Sequence, residues 1–240
     1  MQLANALKLN NKAISGFSLN DISSLVAWYK FNTGLTHDSF GLVSNWADSS
    51  NNTSVNMDMD DNTAAYKHTS LNFITFDTTL GSVMKTSTSG LTLTTFTAFI
   101  ALDVQETNSA GDSPNNEVVI GCSGDQIRIY KGSQDDVMRV RLNGVITDIT
   151  LTSAQPTGTY ILMIARDISG ALHIYIDNSQ VGLISSGTAS TALSNTFDFC
   201  QIGDGSADML IYEVAIFDTS LEGTTEMTTV FNDIKDRVGF

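Results

Sequence analysis

Short apolar runs alternate with short polar stretches along most of the chain, and helical periodicity is scarce. The runs are rich in Val, Ile, Thr, Phe and Tyr, and Gly, Asn, Asp and Ser separate them, which is the pattern of strands joined by turns. In ALHIYID (171–177) one side is apolar, with Leu172, Ile174 and Ile176, and the other carries His173, Tyr175 and Asp177. The pattern predicts strands at 24–31, 71–76, 95–104, 117–122, 126–130, 137–142, 160–166, 171–177, 197–203 and 210–218.

The turns between these runs indicate antiparallel sheets. In VMRVRL (137–142), Arg139 and Arg141 lie on the face opposite Met138 and Val140, as in a half-buried strand. The segments LNGV (142–145) and IDNSQV (176–181) are expected to form tight hairpin turns, because Asn and Gly tolerate a positive φ. About a dozen strands without intervening helices predict an all-β fold, a two-sheet antiparallel β-sandwich of the jelly-roll type.

The C-terminus departs from the strand pattern and predicts one amphipathic helix. Its apolar residues follow helical spacing: Met227, Val230, Phe231, Ile234 and Val238. Glu226 near the start and Lys235 and Arg237 near the end suit the helix dipole, and Gly239 can end the helix. We expect this helix to lie against the sandwich.

The first twenty residues are different again. They have too little apolar surface to fold alone, so they dock on the domain, dock on another subunit or stay loose. We therefore divide the chain into an N-terminal docking arm, residues 1–20, and a sandwich domain, residues 21–240. The apolar positions that would make the arm's contacts are Leu3, Leu7, Leu9, Ile14 and Phe17.

The charge, apolar runs and cysteines of the chain limit the classes of protein to which it can belong. Lys and Arg number 12 against 26 Asp and Glu, a net charge of −14, which argues against nucleic acid and against an acidic membrane as partners. No apolar stretch is long enough for a transmembrane helix, and we see no signal peptide. Cys122 and Cys200 are interpreted as small buried strand residues, with a single disulfide as the alternative.

Five segments, in order, carry a resemblance to a known superfamily. They are DISSLVAWYKFNTGLT with GLVSNWADSSNN (21–36 and 41–52), LNFITFD (71–77), TTFTAFIALDV (94–104), LHIYIDNSQVG (172–182) and IYEVAIFD with the helix after it (211–240). Together they resemble the concanavalin A-like lectin/glucanase superfamily, in its laminin-G-like branch. The resemblance implies the sandwich fold but no single function, since that fold hosts lectins, glycosidases and structural modules.

The stretch VSNWADSSNN (43–52) is interpreted as a turn rather than a ligand site. Trp46 is expected to pack in the core or at an edge. Asp48, Asn51 and Asn52 are expected to cap the turn through hydrogen bonds from side chain to backbone.

We predict no catalytic residues. Glycosidases of this superfamily typically carry a Glu-x-Asp-x-x-Glu strand, which supplies the two carboxylates that hydrolysis needs, and this chain has no such pattern. Glu213 and Asp218 share a strand but lie on opposite faces, so Glu213 is interpreted as structural. Neither a zinc motif nor a nucleophilic serine motif is present.

Two kinds of binding site remain as candidates. Asp58, Asp60 and Asp61 lie close together in NMDMDDNT (56–63) and could hold calcium, although a solvated acidic loop is the favoured interpretation. No other cofactor is predicted. Glycan binding needs aromatic side chains with polar neighbours on an outer face. The candidates are Tyr66, His68, Tyr130, His173 and Tyr175.

Three functions are weighed, and the first is favoured. It is a non-enzymatic virion structural protein of a bacteriophage, a capsid or tail decoration or adhesion component that docks on other virion proteins through its arm and binds host glycans weakly. Such a protein would be assembled in the host cytoplasm and work on the virion surface. The alternative is an extracellular, lectin-like carbohydrate-binding module of a cellular protein, and the third is a polysaccharide-degrading enzyme. Whether the chain forms a homo-oligomer is left open.

Overall fold

Two antiparallel sheets face each other across one apolar core in the computed structural model of the chain. The fold class predicted from the sequence, a β-sandwich with one C-terminal helix, is confirmed. The structure describes residues 16–51, 55–59, 66–67, 73–76, 83–86, 90–104, 116–122, 124–130, 137–153, 158–185, 196–203 and 209–240.

Nineteen strands lie within these residues. The first ten are β1 (Leu25–Tyr29), β2 (Leu35–His37), β3 (Val43–Trp46), β4 (Met57–Met59), β5 (Tyr66–Lys67), β6 (Ile74–Phe76), β7 (Met84–Thr86), β8 (Leu91–Leu93), β9 (Phe96–Val104) and β10 (Asn116–Gly121). The others are β11 (Gln126–Tyr130), β12 (Val137–Leu142), β13 (Val145–Thr150), β14 (Gly158–Arg166), β15 (Leu172–Ile176), β16 (Ser179–Ile184), β17 (Phe197–Phe199), β18 (Gln201–Ile202) and β19 (Met209–Phe217).

The strands form two large sheets and one small one. The eight-stranded sheet has the order β16-β15-β14-β9-β19-β6-β5, and β1 pairs with β19 beside β6. The nine-stranded sheet has the order β13-β12-β11-β10-β18-β7-β4-β3-β2, and β17 pairs with β8 separately. All these pairings are antiparallel, as the hairpin pattern predicts.

Strand β9 lies in the middle of the eight-stranded sheet and is buried on both faces. Ile100 and Leu102 point into the core between the sheets, whereas Phe99 and Ala101 point into a second apolar cluster on the other side. A strand covered on both faces is apolar over most of its length, which explains the run FTAFIAL. The one polar residue of this run, Thr97, is buried, and its hydroxyl donates to the carbonyl oxygen of Thr219 at 2.9 Å.

The second cluster is the contact between the eight-stranded sheet and the C-terminal helix (Thr225–Val238). Four of the five predicted apolar residues are buried there, Met227, Val230, Phe231 and Ile234, and Val238 packs against them. Gly239 ends the helix with φ 84°, in the left-handed region, as expected. In the described part of the chain, no helix has the length and apolar character needed to span a bilayer.

Both predicted hairpin turns are confirmed. Asn143 and Gly144 connect β12 to β13 with φ of 49° and 81°, and Asp177 and Asn178 connect β15 to β16 with φ of 48° and 64°. Two successive positive φ values match the right-handed twist of the flanking strands.

The favoured interpretation of the cysteines is wrong. Cys122 and Cys200 form a disulfide with a Cα–Cα distance of 5.2 Å, and neither lies within a strand. The pairing follows from topology, because β10 and β18 are neighbours with Gly121 opposite Gln201. The two thiols, 78 residues apart in sequence, are thereby brought to one place.

Candidate binding face

The two outer faces of the sandwich differ in what covers them. On the eight-stranded sheet, the C-terminal helix and residues Leu19 and Ile22 bury the outer face in the second apolar cluster. On the nine-stranded sheet, the outer face of β11, β12 and β13 contains a surface cavity of about 130 Å³. Its lining residues are Gln126, Arg128, Arg139, Arg141 and Ile146.

Strand alternation and register bring these side chains together. Strand β12 buries every second residue, so Met138, Val140 and Leu142 enter the core while Arg139 and Arg141 face outward. Pairing across the three strands then makes two adjacent rows on the outer face. One row is Gln126, Arg141 and Ile146, and the other is Arg128, Arg139 and Asp148.

The two rows are held by hydrogen bonds between side chains. Arg139 makes a two-pronged contact with Asp148, with Nε to Oδ1 at 2.6 Å and Nη2 to Oδ2 at 2.9 Å. This contact holds the pKa of the Asp148 carboxyl below its ordinary value. Arg128 donates from Nε and Nη2 to Oε1 of Gln126, at 2.9 and 2.6 Å, which fixes the plane of its guanidinium group.

Chemically, the cavity offers planar hydrogen-bond donors beside exposed apolar surface. Ile146 is 53% exposed at its edge, and the neighbouring Val145 is 46% exposed. Guanidinium groups donate several hydrogen bonds in a fixed plane and prefer oxygen acceptors, carboxylates above all. The arrangement suits a polar ligand with one apolar side.

In the described part of the stretch, residues 43–51, Trp46 and Asp48 make structural contacts, as predicted. Trp46 is 1% exposed, and its ring nitrogen donates to the carbonyl oxygens of Lys30 and Thr33. Asp48 accepts hydrogen bonds from the backbone N–H of Trp28 at 2.9 Å and of Ser50 at 2.8 Å.

Asn51 and Asn52, which were also predicted to cap this turn, differ in what the structure describes. Asn51 takes part through its backbone N–H, which donates to the side chain of Asn20 at 3.0 Å. Asn52 lies outside the described residues.

Of the glycan-binding candidates, Tyr175 is the one the structure describes most fully. It is 8% exposed and packs in the second apolar cluster, while its hydroxyl donates to Glu222 at 2.9 Å. Burial and this hydrogen bond raise the pKa of Tyr175 to about 12. Its ring therefore presents little surface to a sugar.

The other glycan candidates are placed less completely. His173 is partly buried, with its Nε2 3.1 Å from Oδ2 of Asp167. Tyr66 and Tyr130 are described in their backbone only, within β5 and β11, and His68 lies outside the described residues. A glycan site at these positions stays a prediction.

The calcium hypothesis also stays a prediction. Asp58 accepts a hydrogen bond from the side-chain amide of Asn45 at 2.6 Å, and Asp60 and Asp61 lie outside the described residues. Within the described ranges, no group of three acidic, histidine or cysteine side chains is placed to hold a metal ion.

The docking arm is described only at its end. Phe17 packs against the second apolar cluster, and Leu19 is fully buried within it. Leu3, Leu7, Leu9 and Ile14 lie outside the described residues, so their docking role stays a prediction.

Glu213 is buried and structural, as the sequence indicates. Its carboxylate is 0% exposed and accepts hydrogen bonds from Trp28 Nε1 at 2.8 Å and from the backbone N–H of Phe31 at 3.1 Å. Arg237 of the C-terminal helix adds two more from Nε and Nη2, both at 2.9 Å. Asp218, in contrast, is exposed, so the two carboxylates do not form a catalytic pair.

Solved structures share this fold at low sequence identity. Botulinum neurotoxin type C, whose cell entry depends on interaction with two ganglioside molecules, aligns with a TM-score of 0.60 at 13% identity over 90% of this chain and 52% of that chain. The binding domain of Paraclostridial Mosquitocidal Protein 1 aligns with a TM-score of 0.60 at 15% identity, over 90% and 53%. A Trypanosoma rangeli sialidase aligns with a TM-score of 0.57 at 15% identity, over 90% and 34%.

These similarities establish the fold and leave function to be argued from the chain itself. The chain spans about half the length of the two toxin chains and about a third of the sialidase chain. No family model matches it, and no curated protein matches it. The superfamily resemblance seen in the sequence therefore remains a resemblance, while the two-sheet sandwich is shown.

The sequence analysis missed the arginine-lined cavity. The alternation of VMRVRL does place Arg139 and Arg141 on the outer face. Their meeting with Arg128 depends on the register between β11 and β12, where Arg128 lies directly opposite Arg139. The sequence signal that could have predicted the cavity is a pair of consecutive strands, β11 and β12, in which apolar and polar residues alternate. The polar positions of these strands are basic, although the chain as a whole is acidic.

Proposed function

We propose that this domain is a non-catalytic carbohydrate-binding module that binds its ligand on the outer face of β11, β12 and β13. The observation that carries the proposal is the cavity there, which combines three guanidinium groups and an amide with exposed apolar surface at Ile146. Sugars present hydroxyl oxygens at their edges and C–H groups on their faces, so a site with both kinds of surface is suited to them.

Non-catalytic binding fits the composition of the cavity better than hydrolysis. Hydrolysis of a glycosidic bond needs two carboxylates on either side of the bond. None of the residues that line the cavity is acidic, and the adjacent Asp148 is bound to Arg139 through both of its oxygens. The proposal is also consistent with the shared fold of botulinum neurotoxin type C, whose cell entry depends on interaction with two ganglioside molecules.

The disulfide between Cys122 and Cys200 supports a protein that works outside the cell. Disulfides persist in oxidising surroundings and are rare in the cytosol. An extracellular module would meet glycans in such an environment.

Binding of the full chain to a glycan array tests the proposal. The variant Ile146→Asp removes the apolar edge of the cavity, and Ile168→Asp is its matched control, because Ile168 is 79% exposed on the turn between β14 and β15. We expect the chain to bind at least one class of glycan, and we expect Ile146→Asp to reduce that binding at least tenfold while Ile168→Asp leaves it unchanged. Absence of binding to every glycan, or an equal loss in both variants, would overturn the proposal.

A virion structural role is the second candidate, and the placement of Phe17 supports it. Phe17 packs beside the C-terminal helix, on the side opposite the cavity. Attachment through this side of the sandwich would leave the binding face exposed. Mass spectrometry of purified particles from the source culture tests this role. Many copies per particle would support it, and finding the chain only outside particles would contradict it.

A further inference from the structure

The nine-stranded sheet ends at strand β13, and this edge is exposed. Among the described strands, β13 pairs with β12 alone. Four of its six residues are exposed, Val145, Ile146, Asp148 and Thr150. A strand at the edge of a sheet presents a row of backbone N–H and C=O groups that can pair with another strand. The side of β13 away from β12 is therefore a surface on which a further strand can pair.

The other edges of the two large sheets each have a feature that hinders such pairing. Within the described residues, β2 has three residues and a register shift, and β5 has only two residues. Strand β16 has a register shift against β15, and its Val181 carbonyl oxygen accepts a hydrogen bond from the N–H of Thr152. On β1, the carbonyl oxygen of Trp28 accepts a hydrogen bond from the N–H of Ser49. Strand β13, in contrast, has six residues in unbroken register with β12 and contains neither Lys nor Pro, the residues that commonly protect an edge.

The register of the hairpin shows which backbone groups of β13 point away from β12. The two-residue turn before β13 makes Leu142 and Val145 a hydrogen-bonded pair, and such pairs alternate with non-hydrogen-bonded pairs along an antiparallel ladder. The backbone groups that point to the edge are therefore those of every second residue, namely Ile146, Asp148 and Thr150.

Strand β13 is complementary to a second copy of itself in one antiparallel register. With a two-fold axis at Thr147, Ile146 of one copy lies opposite Asp148 of the other, and both residues direct their backbone groups to the edge. Val145 then lies opposite Ile149, and Thr147 lies opposite Thr147. An apolar pair and a Thr–Thr pair are cross-strand neighbours that stabilise an antiparallel sheet.

We propose that two copies of this chain form a dimer by antiparallel pairing of their β13 strands, which joins two nine-stranded sheets into one. A second copy suits this edge because the pairing covers Val145, which is 46% exposed. The one charged residue of β13, Asp148, is bound to Arg139 through both of its oxygens, so its carboxylate already has a cation beside it when the copies meet. Two-fold dimers of this kind are the commonest closed assemblies of soluble proteins.

Pairing at this edge leaves the cavity accessible. Ile146 directs its backbone groups to the edge but its side chain to the outer face of the sheet, where it lines the cavity. The dimer therefore places two cavities on one continuous sheet. If the proposed function holds, a glycan with repeated units would bind both cavities at once and gain affinity from that.

Amide hydrogen exchange of the full chain at two protein concentrations tests the proposal. We expect exchange at Ile146 and Asp148 to slow at least tenfold between about 10 μM and about 1 mM, because their N–H groups become bonded only in the dimer. Thr147 and Ile149 are the internal control, since their N–H groups face β12 in a single copy. Light scattering should show the mass rising from 25.8 kDa towards about twice that value. The net charge of −14 on each copy makes about 0.5 M salt the suitable condition, because salt screens the repulsion between copies.

Two lysine variants locate the contact. Val145→Lys places a charge at the paired edge, where lysine opposes strand addition. Leu183→Lys is the matched control, because Leu183 is 52% exposed on β16, the edge strand of the other large sheet. We expect Val145→Lys to weaken the dimer at least tenfold and Leu183→Lys to leave it unchanged. Circular dichroism checks that both variants fold, and if Val145→Lys does not, hydrogen exchange of the unmodified chain carries the test.

The proposal has clear contrary outcomes. A mass of one chain at every concentration would overturn it. A dimer that persists in Val145→Lys, or that forms without slower exchange at Ile146 and Asp148, would also overturn it, because the copies would then meet at another surface. Neither outcome depends on sugar binding, so a failure here would leave the glycan-binding proposal as it stands.

Discussion

The buried ion pair between Glu213 and Arg237 attaches the C-terminal helix to the sandwich, and breaking it should destabilise the whole domain. Glu213 is 0% exposed, and the Arg237 side chain is 20% exposed. The variant Arg237→Met keeps much of the apolar stem but removes the cation. The carboxylate would remain buried with only the N–H groups of Trp28 and Phe31 as partners.

The expected cost is several kcal/mol. Removing one partner of a buried pair leaves an uncompensated charge and costs about 3–5 kcal/mol. Because Arg237 keeps some contact with water, we take the lower end, about 3 kcal/mol. Unfolding entropy scales with chain length, so for 240 residues this corresponds to a fall in Tm of about 6 °C. Urea denaturation followed by circular dichroism, together with a thermal melt, measures both quantities.

Lys235→Met is the matched control, since Lys235 lies on the same last turn of the helix. Both variants remove one favourable charge–dipole interaction, but Lys235→Met leaves Glu213 paired and should cost under about 1 kcal/mol. The double variant Glu213→Gln/Arg237→Met should recover part of the loss, because no buried charge is left unpaired. The reasoning is refuted if Arg237→Met costs no more than Lys235→Met, or if the two changes in the double variant add without recovery.

Three further predictions concern the disulfide, one turn carboxylate and one hairpin glycine. Replacing Cys122 and Cys200 by Ser should lower the free energy of unfolding by between about 2 and 4.5 kcal/mol. The upper value is the chain-entropy estimate for a 78-residue loop. Two reactive thiols in the unreduced protein would contradict the disulfide. Asp167→Asn should cost about 1 kcal/mol at pH 7. Partial burial opposes the shift, but hydrogen bonds from Ser169 and His173 lower the pKa of Asp167 below its ordinary value of 3.8. The ionised carboxylate thus stabilises the folded state above that value, and this stabilisation is lost as pH falls through the folded-state pKa. The free-energy cost of Asp167→Asn, measured by urea titration, should therefore shrink in acid. A cost of Asp167→Asn that does not change with pH would contradict these hydrogen bonds as its cause. Gly144 has φ 81°, so Gly144→Ala should lower the free energy of unfolding by about 1 kcal/mol. Gly124→Ala is the control and should be neutral, because Gly124 has as much space for a Cβ and no positive φ. Equal melting temperatures of the two variants would refute this prediction.

The sequence predicted most of the long strands and missed several short ones. Strands such as β9 and β14 are nine residues long and buried over most of their length, so their apolar runs stand out. The missed strands β2, β4 and β5 have two or three residues each, too few to show alternation. Strand β13 has exposed apolar residues at Val145 and Ile146, which removes the alternating pattern.

Long-range pairing is the information that the sequence pattern lacks. Glu213 could be interpreted as structural from its strand, but its partner Arg237 lies on a helix 24 residues later. The disulfide and the arginine-lined cavity likewise depend on which strands become neighbours. Periodicity fixes the face of each residue within its own element, whereas the residue opposite it is set by the register of the sheet.

The asymmetry of the sandwich connects the two candidate functions. The helix and Phe17 cover the outer face of one sheet, while the opposite side carries the arginine-lined cavity. A module attached through its N-terminus would then hold the cavity away from whatever it is attached to, be it a particle or another domain. Loss of glycan binding in Ile146→Asp with attachment unchanged would show that the two sides act independently. Loss of attachment in the same variant would show instead that the cavity face belongs to the docking surface, and the glycan-binding proposal would then have to be abandoned.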